Sequence, residues 1–289
     1  MKLSLPEPRP LEELQAVCTQ VRRDILRMVH AVQSGHPGGS MGCTEYVVAL
    51  YYQYMLHRPE AFSMVGEGED LFFLSNGHIS PVWYSVLARQ GYFPLEELTS
   101  FRKIDSRLQG HPATEEGLPG IRVATGSLGQ GLSVAIGAAQ AKKLRGDTRV
   151  VYALCGDGEM QEGQIWEAAN YAPFHKVDNL IAAVDLNYKQ IDGDTREVMN
   201  TQSLADKFRA FNWEVLECHR GNDLQAVHNT LNEAIARAGH GKPVMIMLHT
   251  LMGKGVDFME DDYRWHGIAP SDEQLQQALA QLPETLGDY

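Results

Sequence analysis

The chain has 289 residues, 44% of them hydrophobic, which is enough for a large layered core. Its formal net charge is −12, from 37 acidic and 25 basic residues. A nucleic-acid surface needs lysine and arginine to replace phosphate counterions, so this balance excludes a general nucleic-acid binder and requires any anionic ligand to find a small local positive site.

Residues 1–10, with Pro6, Pro8 and Pro10, read as an extended arm. Apolar residues at helical spacing (Leu14, Val17, Val21, Ile25, Met28, Val29) predict a helix over 11–33, stopped at Ser34-Gly35. A second helix, apolar and aromatic, is predicted over 44–56, a short buried strand over 71–74 and a helix over 81–89. A helix of small residues is predicted over 134–141. From Arg149 short apolar runs at 150–154, 180–184, 213–216 and 244–248 alternate with helical stretches at 165–171, 204–211 and 224–238. The last amphipathic segment covers 272–282. Such alternation predicts an α/β fold, a doubly wound parallel sheet with helices on both faces. With no repeat or linker, residues 1–289 read as a single domain.

The four cysteines are far apart, which argues against a zinc ribbon or a disulfide framework and fits a reducing compartment. No apolar run approaches the roughly 18 residues of a membrane span. The expectation is a cytoplasmic protein with neither a membrane nor a nucleic-acid partner.

Ligands of parallel α/β sheets sit beyond the carboxyl ends of the strands, near a topological switch. There the run 150–154 leads into Gly156-Asp157-Gly158-Glu159, and the next strand ends at Asp185-Leu186-Asn187. Asp-Gly alone is a common turn pair. Asp157 and Asn187 at neighbouring strand ends, however, offer a carboxylate and a carboxamide, which suit Mg²⁺, a cation that takes few protein oxygens and completes its shell with phosphate and water. Gly158 lets backbone N–H groups approach that phosphate, and the helix beginning near Glu162 aims its positive end there.

Four of the eleven histidines lie in glycine-rich contexts: His36 in Ser34-Gly35-His36-Pro37-Gly38-Gly39, His78 in Ser75-Asn76-Gly77-His78, His111 in Gly110-His111-Pro112 and His266 in Trp265-His266-Gly267. Such imidazoles can crowd a ligand and exchange protons near neutral pH. In Thr125-Gly126-Ser127-Leu128-Gly129-Gln130-Gly131 the glycine spacing is not that of a dinucleotide loop, so a nicotinamide dehydrogenase is a poor fit.

GDGEMQEG followed by DLNYKQIDG resembles the thiamine diphosphate motif, and from about Leu14 to Pro270 the motifs occur in the order of the transketolase family. The resemblance implies that Asp157 and Asn187 bind Mg²⁺ (with Ca²⁺ or Mn²⁺ able to substitute) through their side chains. The backbone carbonyl of Lys189, at a position usually apolar in the family, would complete the protein ligands. It implies that Gly156 and Gly158 flank the diphosphate, that Gly126 and Leu128 touch the aminopyrimidine, and that Ile191 packs beside the thiazolium. His36, His78, His111 and His266 would handle protons of the sugar, with His266 also close to the diphosphate. The other seven histidines read as structural or surface residues, and Lys254 as a phosphate or surface cation.

The ending resembles split transketolases and deoxyxylulose phosphate synthases more than long transketolases. The implied activity is transfer of a two-carbon ketol unit from a ketose phosphate to an aldose phosphate. The implied partner is a C-terminal subunit carrying the pyrimidine-binding half, in an α2β2 assembly, with Glu162 at the interface. The alternatives are a related deoxyxylulose phosphate synthase-like enzyme and a non-catalytic cofactor-binding regulatory subunit.

Overall fold

The structure, a computed structural model, describes residues 8–289, so the first seven residues of the expected arm lie outside the described residues. Among the described residues seven strands occur: β1 (Leu71–Leu74), β2 (Val151–Gly156), β3 (Leu180–Leu186), β4 (Lys189–Gln190), β5 (Gly193–Asp194), β6 (Glu214–Cys218) and β7 (Val244–His249). Five of them form one parallel sheet in the order β1-β2-β3-β7-β6, while β4 and β5 make a small antiparallel hairpin. The helices are α1 (Leu11–Ala31), α2 (Pro37–Gly42), α3 (Thr44–Ala49), α4 (Ser80–Arg89), α5 (Gly131–Leu144), α6 (Gly163–Phe174), α7 (Thr195–Val198), α8 (Leu204–Ala210), α9 (Leu224–Arg237) and α10 (Asp272–Gln281).

Both faces of the sheet are covered, which is why its strands read as unbroken apolar runs rather than as alternation with polar residues. Tyr152, Leu154, Ile181, Ala183, Ile246 and Leu248 point into the layer built from α1, α3, α4 and α9. Val151, Ala153, Leu180, Ala182, Val184 and Met245 point into the layer of α5, α6 and α8. The connections leaving β2 and β3 run to α6 and α8, on one face. Those leaving β6 and β7 run to the other, so the winding direction reverses between β3 and β7. The expected doubly wound architecture is present, and the switch point lies beside the Asp157–Asn187 edge.

Two local departures from the sequence reading have physical causes. The predicted helix 44–56 is α3 followed by a π-helical turn, Leu50–Tyr54. This wider turn is fixed by tertiary partners: the Tyr51 hydroxyl accepts a 2.7 Å hydrogen bond from Trp83 Nε1, and Tyr54 is bonded to His228. The segment Pro37–Gly42 is helical despite its glycines, because Pro37 starts it and every one of its residues is buried.

Helix α1 is anchored by buried charge. Asp24, fully buried, accepts hydrogen bonds from Arg89 Nε (2.6 Å), Arg89 Nη2 (2.9 Å) and Ser85 Oγ (2.6 Å). Arg22 pairs with Glu45 at 2.7 Å and also donates to the Met41 carbonyl, tying α1 to α2 and α3. Removing one partner of such a pair strands the other in a low-dielectric interior. Asp24→Ala is expected to cost about 3–5 kcal/mol of unfolding free energy, read by urea denaturation.

Candidate active site

The site is assembled at the carboxyl edge of the sheet. Gly156 of β2 is in register with Asp185 of β3, so Asp157 and Asn187, the residues that follow, emerge side by side. Asp157 is buried and accepts N–H bonds from Tyr188 (2.6 Å) and Gly158 (2.8 Å). Asp185, also buried, accepts from Asn187 Nδ2 at 2.6 Å and from the Thr250 hydroxyl, which fixes the carboxamide plane. Asn187 Oδ1 in turn accepts the Lys189 N–H at 2.9 Å. Lys189 lies in β4; its ammonium turns aside to Asp194 (3.2 Å) and Asp261 (3.1 Å), leaving the backbone as its contribution to the site.

Gly158 is expected to let backbone N–H groups approach a phosphate. Within the loop Gly158 donates its N–H to Asp157, and Gly156 donates its N–H to Glu159 Oε2 at 3.0 Å. The helix α6 begins at Gly163, with Glu162 as its N-cap residue, after a 3₁₀ turn over Gly158–Gln161.

The four histidines come from four separate segments and meet because glycines let backbone surfaces touch. A Cβ on Gly38 would lie 2.8 Å from the Trp265 carbonyl, so α2 sits against the turn Tyr263–His266. A Cβ on Gly77 would lie 2.8 Å from the Gly126 nitrogen, and Thr125 donates its N–H to Pro112 at 3.1 Å. Ring centroids are 5.0 Å apart for His36 and His78, 5.5 Å for His36 and His266, 5.1 Å for His78 and His266, and 6.3 Å for His36 and His111. Gly126, at φ +124°, lies against the His111 ring, where an added Cβ would come within 2.7 Å.

Together these elements line a cleft of about 410 Å³. His36, His78 and His266, packed ring against ring, line it together with Asp157, Asn187 and Lys189; Gly126, Leu128, Gly156, Gly158, Glu162 and Ile191 also line it. His111 stands at the rim, exposed. Ile191 is 57% exposed, an apolar side chain facing outward at the mouth. Lys254 lies elsewhere, paired with Glu260 at 2.9 Å.

The electrostatics divide the cleft. Burial, then the charge of Asp185, pushes Asp157 up to about 8, and burial pushes Asp185 up to about 6. Hydrogen bonds to the two carboxylates pull the other way and do not cancel it. A divalent cation at the Asp157 carboxylate would reverse that balance by stabilising the ionised form. The imidazoles are kept uncharged: burial lowers His36 to about 3 and His266 to about 4, and lowers His78 and His111 as well. Arg102 adds to this at His36 and His111.

Two residues that the sequence reading passed over belong to this neighbourhood. Glu159, buried, accepts from the Ser75 hydroxyl, from Gly129 N–H (2.7 Å) and from Gly156 N–H, pinning three loops with one carboxylate. Arg102 bonds Ser34 Oγ at 3.0 Å, but its Nε and Nη2 are buried without partners. His36 Nδ1, His266 Nδ1, Asn76 Oδ1 and Thr125 Oγ1 are also buried and unpartnered. Buried polar atoms are normally satisfied, so this concentration fits a wall built for a polar ligand. The donor set, one carboxylate with amide oxygens, fits a hard cation carrying phosphate.

The other histidines are mostly tied into the fold: His30 to Asp272, His57 to the Tyr51 carbonyl and His228 to Tyr54. No helix among the described residues is long and apolar enough to cross a membrane.

Residues 14–283 match the family model described as transketolase, thiamine diphosphate binding domain. The chain is 36% identical over 274 residues to an apulose-4-phosphate transketolase subunit of Actinobacillus succinogenes, covering 94% of this chain and 97% of that protein. It is 37% identical over 270 residues to a 6-deoxy-6-sulfo-D-fructose transketolase subunit of a Clostridium species, covering 93% and 96%. Human transketolase is 32% identical over 279 residues, which is 96% of this chain but 43% of that one. The crystal structure of Campylobacter jejuni transketolase superposes with a TM-score of 0.86 at 32% identity, over 95% of this chain and 43% of that one. A family match over most of its length, and relatives above 30% identity along nearly all of it, mean that this chain belongs to the transketolase family, in the part that binds thiamine diphosphate.

Proposed function

We propose that this chain is the diphosphate-binding subunit of a two-chain, Mg²⁺-dependent transketolase that moves a two-carbon ketol unit from a ketose phosphate to an aldose phosphate. The observation that carries the reading is one cleft lined both by a buried carboxylate–carboxamide pair and by a cluster of uncharged imidazoles. Asp157, Asn187 and the Lys189 carbonyl would hold Mg²⁺, which would offset the charge of the diphosphate. When bound, thiamine diphosphate supplies the carbon nucleophile that breaks and remakes the bond beside the ketose carbonyl. His36, His78, His111 and His266 accept and return protons at sugar hydroxyl and carbonyl oxygens. Leu128 and Ile191 bear on the cofactor's rings, and Glu162 faces the partner.

The need for a partner is supported by the match to subunits along nearly their whole length, set against 43% of the human single-chain enzyme. The outward-facing Ile191 at the cleft mouth is the kind of surface a second chain covers. The proposed holoenzyme is α2β2. The decisive experiment is thiamine diphosphate- and Mg²⁺-dependent ketol transfer by this chain alone and mixed with a pyrimidine-domain subunit. Activity in the mixture only is the expected result; full activity of the chain alone would refute the two-chain reading.

Asp157→Ala is expected to abolish Mg²⁺-dependent retention of thiamine diphosphate in the assembled enzyme, measured by equilibrium dialysis; unchanged retention would remove the metal assignment. His111→Ala is expected to leave that retention intact while cutting turnover by roughly 10²–10⁴-fold, the range for a lost acid–base group. Parallel loss of both properties would make His111 structural.

The histidines also set a pH dependence. An unfolded histidine takes up its proton near 6.5, whereas His36 and His266 in the fold do so only near about 3 and about 4. Between those limits the unfolded chain binds more protons at these two groups, so they contribute a loss of stability as pH drops below about 6.5, while Asp157 and Asp185, raised in the fold to about 8 and about 6, contribute the opposite slope. The histidine contribution is read as a difference: in urea unfolding between pH 7 and 4.5, His36→Gln should gain stability relative to the wild type as pH falls, and parallel curves would refute the assignment.

A further inference from the structure

Two histidines that match no family motif lie together at the far end of the same sheet edge. Glu217 is on β6, His219 follows that strand, and His249 ends β7. In the parallel register Glu217 faces Met247 and Cys218 faces Leu248, which sets His219 opposite His249. Side chains alternate along a strand, so Glu217, His219 and His249 project from one face. One ligand atom from each lies within 4.8 Å of the others.

The surroundings orient these groups. His249 Nδ1 lies 3.4 Å from the Tyr188 hydroxyl, while its Nε2 is buried without a hydrogen-bond partner and lies 4.0 Å from Glu217 Oε2. Arg209 takes the other carboxylate oxygen, Oε1, at 2.6 Å, so Oε2 is the oxygen left facing the imidazoles. The His219 and His249 ring centroids are 5.2 Å apart. A small cleft of about 190 Å³ opens beside Glu217 and His249 and reaches Tyr188 and Asp157.

We propose that Glu217, His219 and His249 form a second divalent-metal site, for a zinc-class cation, separate from the cofactor's Mg²⁺. Two imidazoles and one carboxylate are the donors of three-ligand zinc sites, with a fourth position left to water, whereas Mg²⁺ prefers oxygen alone. Metal on His249 Nε2 places the ring proton on Nδ1, which donates to the Tyr188 hydroxyl; Arg209 holds the carboxylate in the same outer-shell manner. Both partners are already in position. Tyr188 also donates its backbone N–H to Asp157, so it stands between the two metal sites.

The test is a Co²⁺ titration of the chelator-stripped full chain in excess Mg²⁺, followed by the visible d–d absorption of Co²⁺ bound to nitrogen ligands. The expected result is one equivalent of Co²⁺ per chain, displaced by Zn²⁺ but not by Mg²⁺. His219→Ala and His249→Ala should each weaken binding at least about tenfold, and Asp157→Asn should leave it unchanged. All three residues are at least partly exposed, and circular dichroism and thermal melting report whether the variants fold. Co²⁺ uptake by the His219→Ala/His249→Ala double variant equal to that of the wild type would overturn the proposal, as would no uptake by the wild type or loss of uptake in Asp157→Asn. The last of these outcomes would show that the ion had bound at the proposed Mg²⁺ site instead.

Discussion

The parallel register of β2 against β3 is the constraint on which the site depends. Because Gly156 lies opposite Asp185, the residues that leave both strands reach the same level, and two side chains thirty positions apart become neighbours. A shift of one residue would turn Asp157 to the other face and leave Asn187 without its counterpart. The register is held along six paired positions by strands whose side chains are buried on both faces, so the interior packing of the sheet fixes the geometry of the Asp157–Asn187 edge. The catalytic edge has no comparable regular structure. It relies on short turns, and it is positioned by what those turns are packed against.

That second kind of positioning is done by close backbone contact and by a few buried charges. Glu159 joins the 75, 129 and 156 loops with a single carboxylate. The Arg22–Glu45 pair fixes α2 and α3 to α1 at the segment that carries His36. Buried ion pairs contribute little net stability against an apolar alternative, but they choose one arrangement over others. Here the arrangement matters more than the stability, because four imidazoles from distant parts of the chain have to meet within a few ångströms.

The sheet was legible because buried strands and amphipathic helices repeat a pattern over many residues. The run at 71–74 corresponds to β1 without change, and the predicted helix over 224–238 differs from α9 by one residue. Asp157, Asn187 and the four histidines were legible through short glycine-rich words; His36, His78 and His266 line the same cleft as Asp157 and Asn187, and His111 stands at its rim. What escaped was whatever depends on a partner far away in sequence. Glu159 looks like an ordinary helix-start acid until Ser75 and Gly129 are beside it. Arg102 lies in an unremarkable Phe-Arg-Lys stretch, and only folding shows its donors buried beside His36 and His111. The Gly158 N–H bond to Asp157 was hidden for a related reason: the acceptor is adjacent in sequence, and only the turn geometry brings it back onto that donor.

An acidic protein that binds an anionic cofactor has to manage charge locally. A wall of lysines would attract phosphate but would also compete for the diphosphate with the metal and repel any proton delivered nearby. Neutral imidazoles avoid that conflict, since they donate and accept hydrogen bonds without adding charge. Burial keeps them neutral, and the Arg102 guanidinium reinforces this at His36 and His111 by making a second nearby cation unfavourable. At Asp157 burial works in the opposite direction and raises the carboxyl to about 8, favouring its protonated form. The same physical cause, removal of water, therefore disfavours the charged form of the carboxylates and of the imidazoles alike, and both kinds of group line one cleft.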